Sequence, residues 1–162
     1  MGEERVKLAK TNEDVQNFMK YVLRDGRALE RMLEEEWFET DIIRIGAEQE
    51  LCLIDEYGKA MPNAMEVLDA LGEGNYTTEI AKFNIEINLD PLEFKGHCLS
   101  KLEENLQREV EYVRKTVQGL GGDILLTGIL PTIRKSDVAI ENLTPLPRYK
   151  AICDAIDNMR GK

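Results

Sequence analysis

Three glutamates carry the most chemical information in this chain. Gly46-Ala47-Glu48-Gln49-Glu50-Leu51-Cys52-Leu53 places two carboxylates at alternate positions of a strand-like run. Alternate residues of a strand face the same side, so Glu48 and Glu50 point together. A second run, Phe83-Asn84-Ile85-Glu86-Ile87-Asn88-Leu89, puts Glu86 between two asparagines and keeps the opposite face apolar. Carboxylates gathered on one sheet face repel one another, and a hard divalent cation such as Mg²⁺ removes that cost. The chemistry this suggests is metal-assisted and nucleotide-using. The alternative for each run is a plain solvated sheet face. Against it, Cys52 and Ile54 continue the glutamate side with apolar groups.

Glu79 has the opposite parity to Glu86. It joins the same site only if it precedes the regular strand or if a bulge resets the alternation. Arg148-Tyr149 follows Pro145 and Pro147 at a helix start. A guanidinium there can hold a phosphate or carboxylate, or can simply pack on the helix surface. Gly119-Leu120-Gly121-Gly122 follows a helix and precedes a strand, the reverse of a phosphate-binding loop. It reads as a helix stop. The single histidine, His97, reads as a loop residue without partners for a zinc site.

These residues need a scaffold of strands and helices. The periodicity predicts a first helix over about residues 12–33, capped by Thr11 with Asp14 three residues on. It predicts strand one over 42–54, a short helix over 64–71 and strand two as one run over 76–89. A helix follows, with Leu99, Leu102, Leu106, Val110, Val113 and Val117 as its apolar stripe and Ser100-Lys101-Leu102-Glu103 as a capping box. A strand over 123–127 and a helix over 148–159 complete the chain. The fold class is α+β, an antiparallel, curved sheet with packed helices. The 162 residues read as a single domain: an N-terminal helical segment, 1–40, then sheet and helices over 41–162.

The net charge of −10 argues against nucleic acid or an anionic membrane as the main partner. No apolar run approaches a membrane span, and Met1-Gly2-Glu3-Glu4-Arg5 lacks a leader's apolar region. Cys52, Cys98 and Cys153 are scattered and odd in number, which fits reduced thiols in a cytoplasm. Cys52 reads as a buried packing thiol.

Taken together, the motifs resemble the glutamate–cysteine ligase family, especially its bacterial branch of carboxylate–amine ligases. Gly46-Ala47-Glu48-Gln49-Glu50 is similar to the family's Gly-x-Glu-x-Glu strand. Thr77-Thr78-Glu79-Ile80-Ala81-Lys82-Phe83-Asn84-Ile85-Glu86, running into Leu89-Asp90-Pro91, is similar to its second carboxylate segment. Gly128-Ile129-Leu130-Pro131 lies where many members carry Gly-Thr-His-Pro, with Leu130 in the histidine's place. Pro147-Arg148-Tyr149 resembles a later Pro-Arg-Tyr motif.

The resemblance implies a partial glutamine-synthetase-like catalytic fold. It implies ATP-dependent activation of a glutamate-like γ-carboxylate as an acyl phosphate, attacked by an amine or amino acid to form an amide. It makes Glu48, Glu50, Glu79 and Glu86 candidate ligands for Mg²⁺ or Mn²⁺, with ATP as cosubstrate. Arg148 becomes the candidate catalytic contact, and Arg148 with Tyr149 the candidate nucleotide-binding pair. Glutathione biosynthesis is the pathway the family name suggests. Family members are usually more than twice this length, so the chain is expected to be an N-terminal portion, inactive alone. Arg160-Gly161-Lys162 does not read as a natural domain end. A sheet cut midway also leaves open edges, so a homo-oligomer is expected. The alternative is a non-catalytic metal- or ligand-binding module that keeps the fold.

Overall fold

The computed structural model describes Ala9 and residues 11–161. The segment read as lacking a leader, Met1 to Arg5, and the terminal Lys162 lie outside the described residues. The chain divides into two compact units, one formed by 1–43 with 146–162 and the other by 44–145.

The first unit holds helices α1, Asn12–Glu34, and α4, Pro147–Met159. Helix α1 starts as its sequence dictates. The Asp14 amide donates to Thr11 Oγ1 at 3.1 Å, and the Thr11 amide donates back to Asp14 Oδ2 at 2.9 Å. This reciprocal box satisfies two backbone donors that a helix start otherwise leaves open. No residue of α1 is buried, and the apolar Val15, Phe18, Val22 and Leu29 all stand exposed. Helix α4 opens on Pro147, whose fixed φ and missing N–H suit a first helical position.

The second unit is α+β and carries the carboxylates. Its strands are β1 (Arg44–Ile45), β2 (Glu48–Ile54), β3 (Tyr76–Thr78), β4 (Asn84–Asn88), β5 (Leu92–Glu93) and β6 (Asp123–Leu125). Strands β3-β4-β2-β6 form an open antiparallel sheet, and β1 pairs β5 in a separate two-stranded ladder. Helices α2 (Ala64–Leu71) and α3 (Cys98–Gly119) supply the other half of one core. Leu51, Leu53, Ile85, Ile87 and Ile124 from the strands close with Ala64, Val67, Leu71, Val113 and Val117 from the helices. Each buried aliphatic side chain of this kind contributes roughly 1.5–3 kcal/mol. Among the described residues no helix is long and apolar enough to cross a membrane.

The structure corrects three sequence-based boundaries. Strand one is broken at Gly46 and Ala47 into β1 and β2. Strand two is two strands, because the chain reverses through residues 79–83 and β4 returns antiparallel to β3. Helix α3 begins at Cys98, so no capping box forms at Ser100. Gly96, at φ 55°, turns the chain just before it, and His97 is the flanking residue of the helix. At the other end Gly121 takes φ 83° and Gly122 leads into β6, as a helix stop requires.

Candidate carboxylate site

Strand β2 lies between β4 and β6, and its alternation decides what faces where. Leu51 and Leu53 enter the core, while Glu48, Glu50 and Cys52 take the other face. Strand β4 alternates in the same way. Ile85 and Ile87 are fully buried, and Asn84, Glu86 and Asn88 oppose β2's polar side.

The register sets the pairs. Glu50 lies directly opposite Glu86, Glu48 opposite Asn88, and Cys52 opposite Asn84. On the far side of β4, Thr77 lies opposite Glu86. Glu86 is therefore the centre of a row Thr77–Glu86–Glu50. Its Oε1 accepts from Asn88 Nδ2 at 2.7 Å and from Thr77 Oγ1 at 3.3 Å.

Glu79 enters the same row by way of the chain reversal. The β3–β4 register pairs an odd-numbered residue with an even-numbered one, as Thr77 with Glu86. Glu79 follows Thr77 by two positions, so the opposite parity that made its place conditional is what this hairpin demands. One carboxylate oxygen each from Glu50, Glu79 and Glu86 lies within 4.8 Å of the others. Glu48 flanks this group, two residues along β2 from Glu50.

Three acids this close raise the cost of ionisation. The Glu79 carboxyl is pushed above the ordinary glutamate range, first by burial, then by the charges of Glu50 and Glu86. Among the described residues of this unit, no lysine or arginine forms an ion pair with the three. Octahedral Mg²⁺ holds neighbouring oxygens about 3 Å apart, closer than the 4.8 Å within which these three lie. The donors are all carboxylate oxygens, the chemistry that Mg²⁺ and Mn²⁺ prefer.

Cys52 is 2% exposed, as a packing thiol should be. Burial pushes its thiol up, away from the reactive thiolate. Leu130, at the position of the motif histidine, is 2% exposed and packs with Cys52 and Phe83. It supplies apolar surface where a histidine would supply a ring nitrogen. Arg148 and Tyr149 belong to the other unit. There the Arg148 guanidinium donates to Tyr149 Oη at 2.6 Å and lies 4.6 Å from the centre of its ring.

Three residues of the site were given no role of their own from the sequence. Thr77 and Asn88 fix Glu86, and the alternation around Glu86 was the signal for Asn88. Thr144, almost fully buried, donates from Oγ1 to the Glu79 carbonyl at 2.5 Å and holds the reversal in place. Nothing local to Thr144 announces that role.

The fold and face define a class: an α+β unit whose sheet buries one side under two helices and displays carboxylates on the other. Residues 44–160 match the model of glutamate-cysteine ligase family 2, and the chain belongs to that family. Ligase-like activity is what membership implies in general. Neither a curated protein nor a solved structure matches the chain.

Proposed function

We propose that this chain carries the carboxylate half-site of an ATP-dependent carboxylate–amine ligase. The observation that carries the reading is the group Glu50, Glu79 and Glu86, held on one sheet face with no cationic side chain of the unit paired to it. Mg²⁺ or Mn²⁺ bound there supplies positive charge against the phosphates of ATP and the oxygens of an activated γ-carboxylate. The chain's own part is to hold three ligands in register. Thr77 and Asn88 orient Glu86, and the β2–β4 ladder sets Glu50 against it. Glu48 extends the row toward a neighbouring ligand position. Arg148 binds an anionic group of nucleotide or substrate from the first turn of α4, with Tyr149 bracing its guanidinium. The γ-carboxylate takes the terminal phosphoryl group of ATP and releases ADP. The amine then attacks the acyl carbon, the C–O bond to phosphate breaks as the C–N bond forms, and the amine's proton passes to solvent or to the leaving phosphate.

Ligase turnover belongs to the complete protein in this reading, and the chain alone is inactive. Its place is a reducing cytoplasm, consistent with three free cysteines. The test is ADP and amide formation by the complete reading frame with Mg²⁺, glutamate and a panel of amines. Glu50→Gln with Glu86→Gln should abolish both products. Arg148→Ala should lower kcat/KM. A complete protein that forms no ADP with any amine rejects the ligase reading, and unchanged kinetics in Arg148→Ala reject the arginine's role.

A further inference from the structure

The acid face carries a second feature that the metal reading does not use. Next to the carboxylates, Cys52, Phe83 and Leu130 form a small apolar cluster of their own, edged by Ile54, Ala60, Ala81 and Leu125. An open cavity of about 280 Å³ adjoins it, with Glu79, Phe83, Asn84, Leu130, Ile133 and Val138 in its wall. The volume suits a small ligand.

The wall is chemically one-sided. Most of it is aliphatic or aromatic, and none of its residues is a lysine, arginine or histidine. Its polar groups are the Glu79 carboxyl, the Asn84 amide and the Cys52 thiol. Asn84 Nδ2 donates to Cys52 Sγ at 3.8 Å, but Asn84 Oδ1 is shielded from solvent and accepts nothing. A shielded acceptor without a donor is destabilising, and a ligand N–H removes that deficit once the Asn84 side chain turns its Oδ1 to the cavity wall. A carboxylate would meet an acceptor and an acid with no counter-charge. An amine finds complementary partners in both.

We propose that this cavity seats the amine-bearing substrate, with its nitrogen toward Asn84 Oδ1 and Glu79 and a small apolar body against Phe83, Leu130 and Ile133. The substrate class is a small aliphatic primary amine that carries no carboxylate. The catalytic role rests on the ligase reading, but the binding does not. Glu79 belongs to both features, so an amine seated here lies beside the carboxylate group.

The test is a ¹H–¹⁵N NMR titration of this chain, without ATP or metal, using isobutylamine, isobutanol and isobutyrate. Isobutylamine should shift the Asn84 side-chain amide and the Ile133 and Val138 backbone amides saturably, with isobutyrate at least about tenfold weaker. Ile133→Trp should fill the cavity, and Val138→Trp at a half-exposed position gives an independent block. Both variants keep every carboxylate, so general attraction of a cation to the acids survives them while seating in the cavity does not. Equal binding of amine and carboxylate, no amine binding, or amine binding that neither tryptophan weakens would overturn the proposal. Mn²⁺-induced broadening near Glu50 and Glu86 is followed in the same samples. Its insensitivity to Glu50→Gln with Glu86→Gln defeats the metal reading and leaves the amine result standing.

Discussion

Glu50 stands directly across the β2–β4 ladder from Glu86. Like charges opposite one another weaken an antiparallel pair. The sheet tolerates them here because the same two strands bury Leu51, Ile85 and Ile87 completely on the other face. The cost of the acid pair is localised, and so is the remedy.

Divalent metal is therefore expected to stabilise this chain. Mn²⁺ should raise its thermal midpoint and bind measurably by calorimetry. Glu50→Gln with Glu86→Gln should remove the heat of binding while raising the metal-free midpoint, because the repulsion goes with the charge. Metal binding that is indifferent to both substitutions counts against the site.

The raised Glu79 carboxyl gives a pH dependence with a definite sign. The folded state holds this proton more tightly than the unfolded chain does. Its contribution to stability is fully present below the ordinary value of 4.5 and declines as pH rises through the raised folded value. Urea unfolding across that window should show a falling component in the metal-free protein. Glu79→Gln should remove that component, so the difference between the two proteins isolates it from the other acids. A difference that stays flat with pH would falsify the crowding around Glu79.

Gly122 is where α3 hands the chain to β6 at close quarters. A Cβ built there lies 2.5 Å from Met61 Sδ, 2.8 Å from the Ile54 carbonyl oxygen and 3.3 Å from Val117 Cγ1. The thioether can swing away, but the backbone oxygen cannot without disturbing β2. Gly122→Ala should destabilise by about 1–3 kcal/mol, read from the urea midpoint at constant m-value. Wild-type stability in this variant would show that the close approach is not maintained.

Self-association is expected through the surfaces left open. Strands β3 and β6 are the outer strands of the main sheet, and α1 presents Val15, Phe18, Val22 and Leu29 to solvent. A second copy of this chain is the proposed occupant of the α1 face. Light scattering should report a dimer or larger assembly, and Phe18→Asp should shift it toward monomer. A monomer at high concentration rules the association out.

Much of this arrangement was legible in the residues themselves. The sequence of β4 alternates without a fault, and its two faces are where period two puts them. The Thr11–Asp14 box was equally plain. The chain reversal between β3 and β4 was not, because Glu79-Ile80-Ala81-Lys82-Phe83 contains no glycine, proline or asparagine to mark a turn. It is held from far along the chain. The Lys82 amide donates to the Asn142 carbonyl at 2.9 Å, and the Thr144 amide donates to the Ile80 carbonyl at 2.8 Å. Ala81 and Leu143 form an isolated bridge between them. A turn stabilised by a segment some sixty residues downstream leaves no local signature. Reading it as continuous strand left Glu79 at odds in parity with Glu86, a mismatch that the reversal removes.

The alternation of β4 has a consequence for how this protein can change over time. Within five residues, odd positions answer to the core and even positions to the polar face. Selection on abundance and selection on chemistry therefore act on interleaved but separate letters of one short string. Drift in what the polar face recognises need not disturb the interior, and repacking of the interior need not disturb recognition. A saturation library across Asn84–Asn88 should separate into two combs, one depleted by loss of soluble protein and the other by loss of ligand binding in protein that still accumulates.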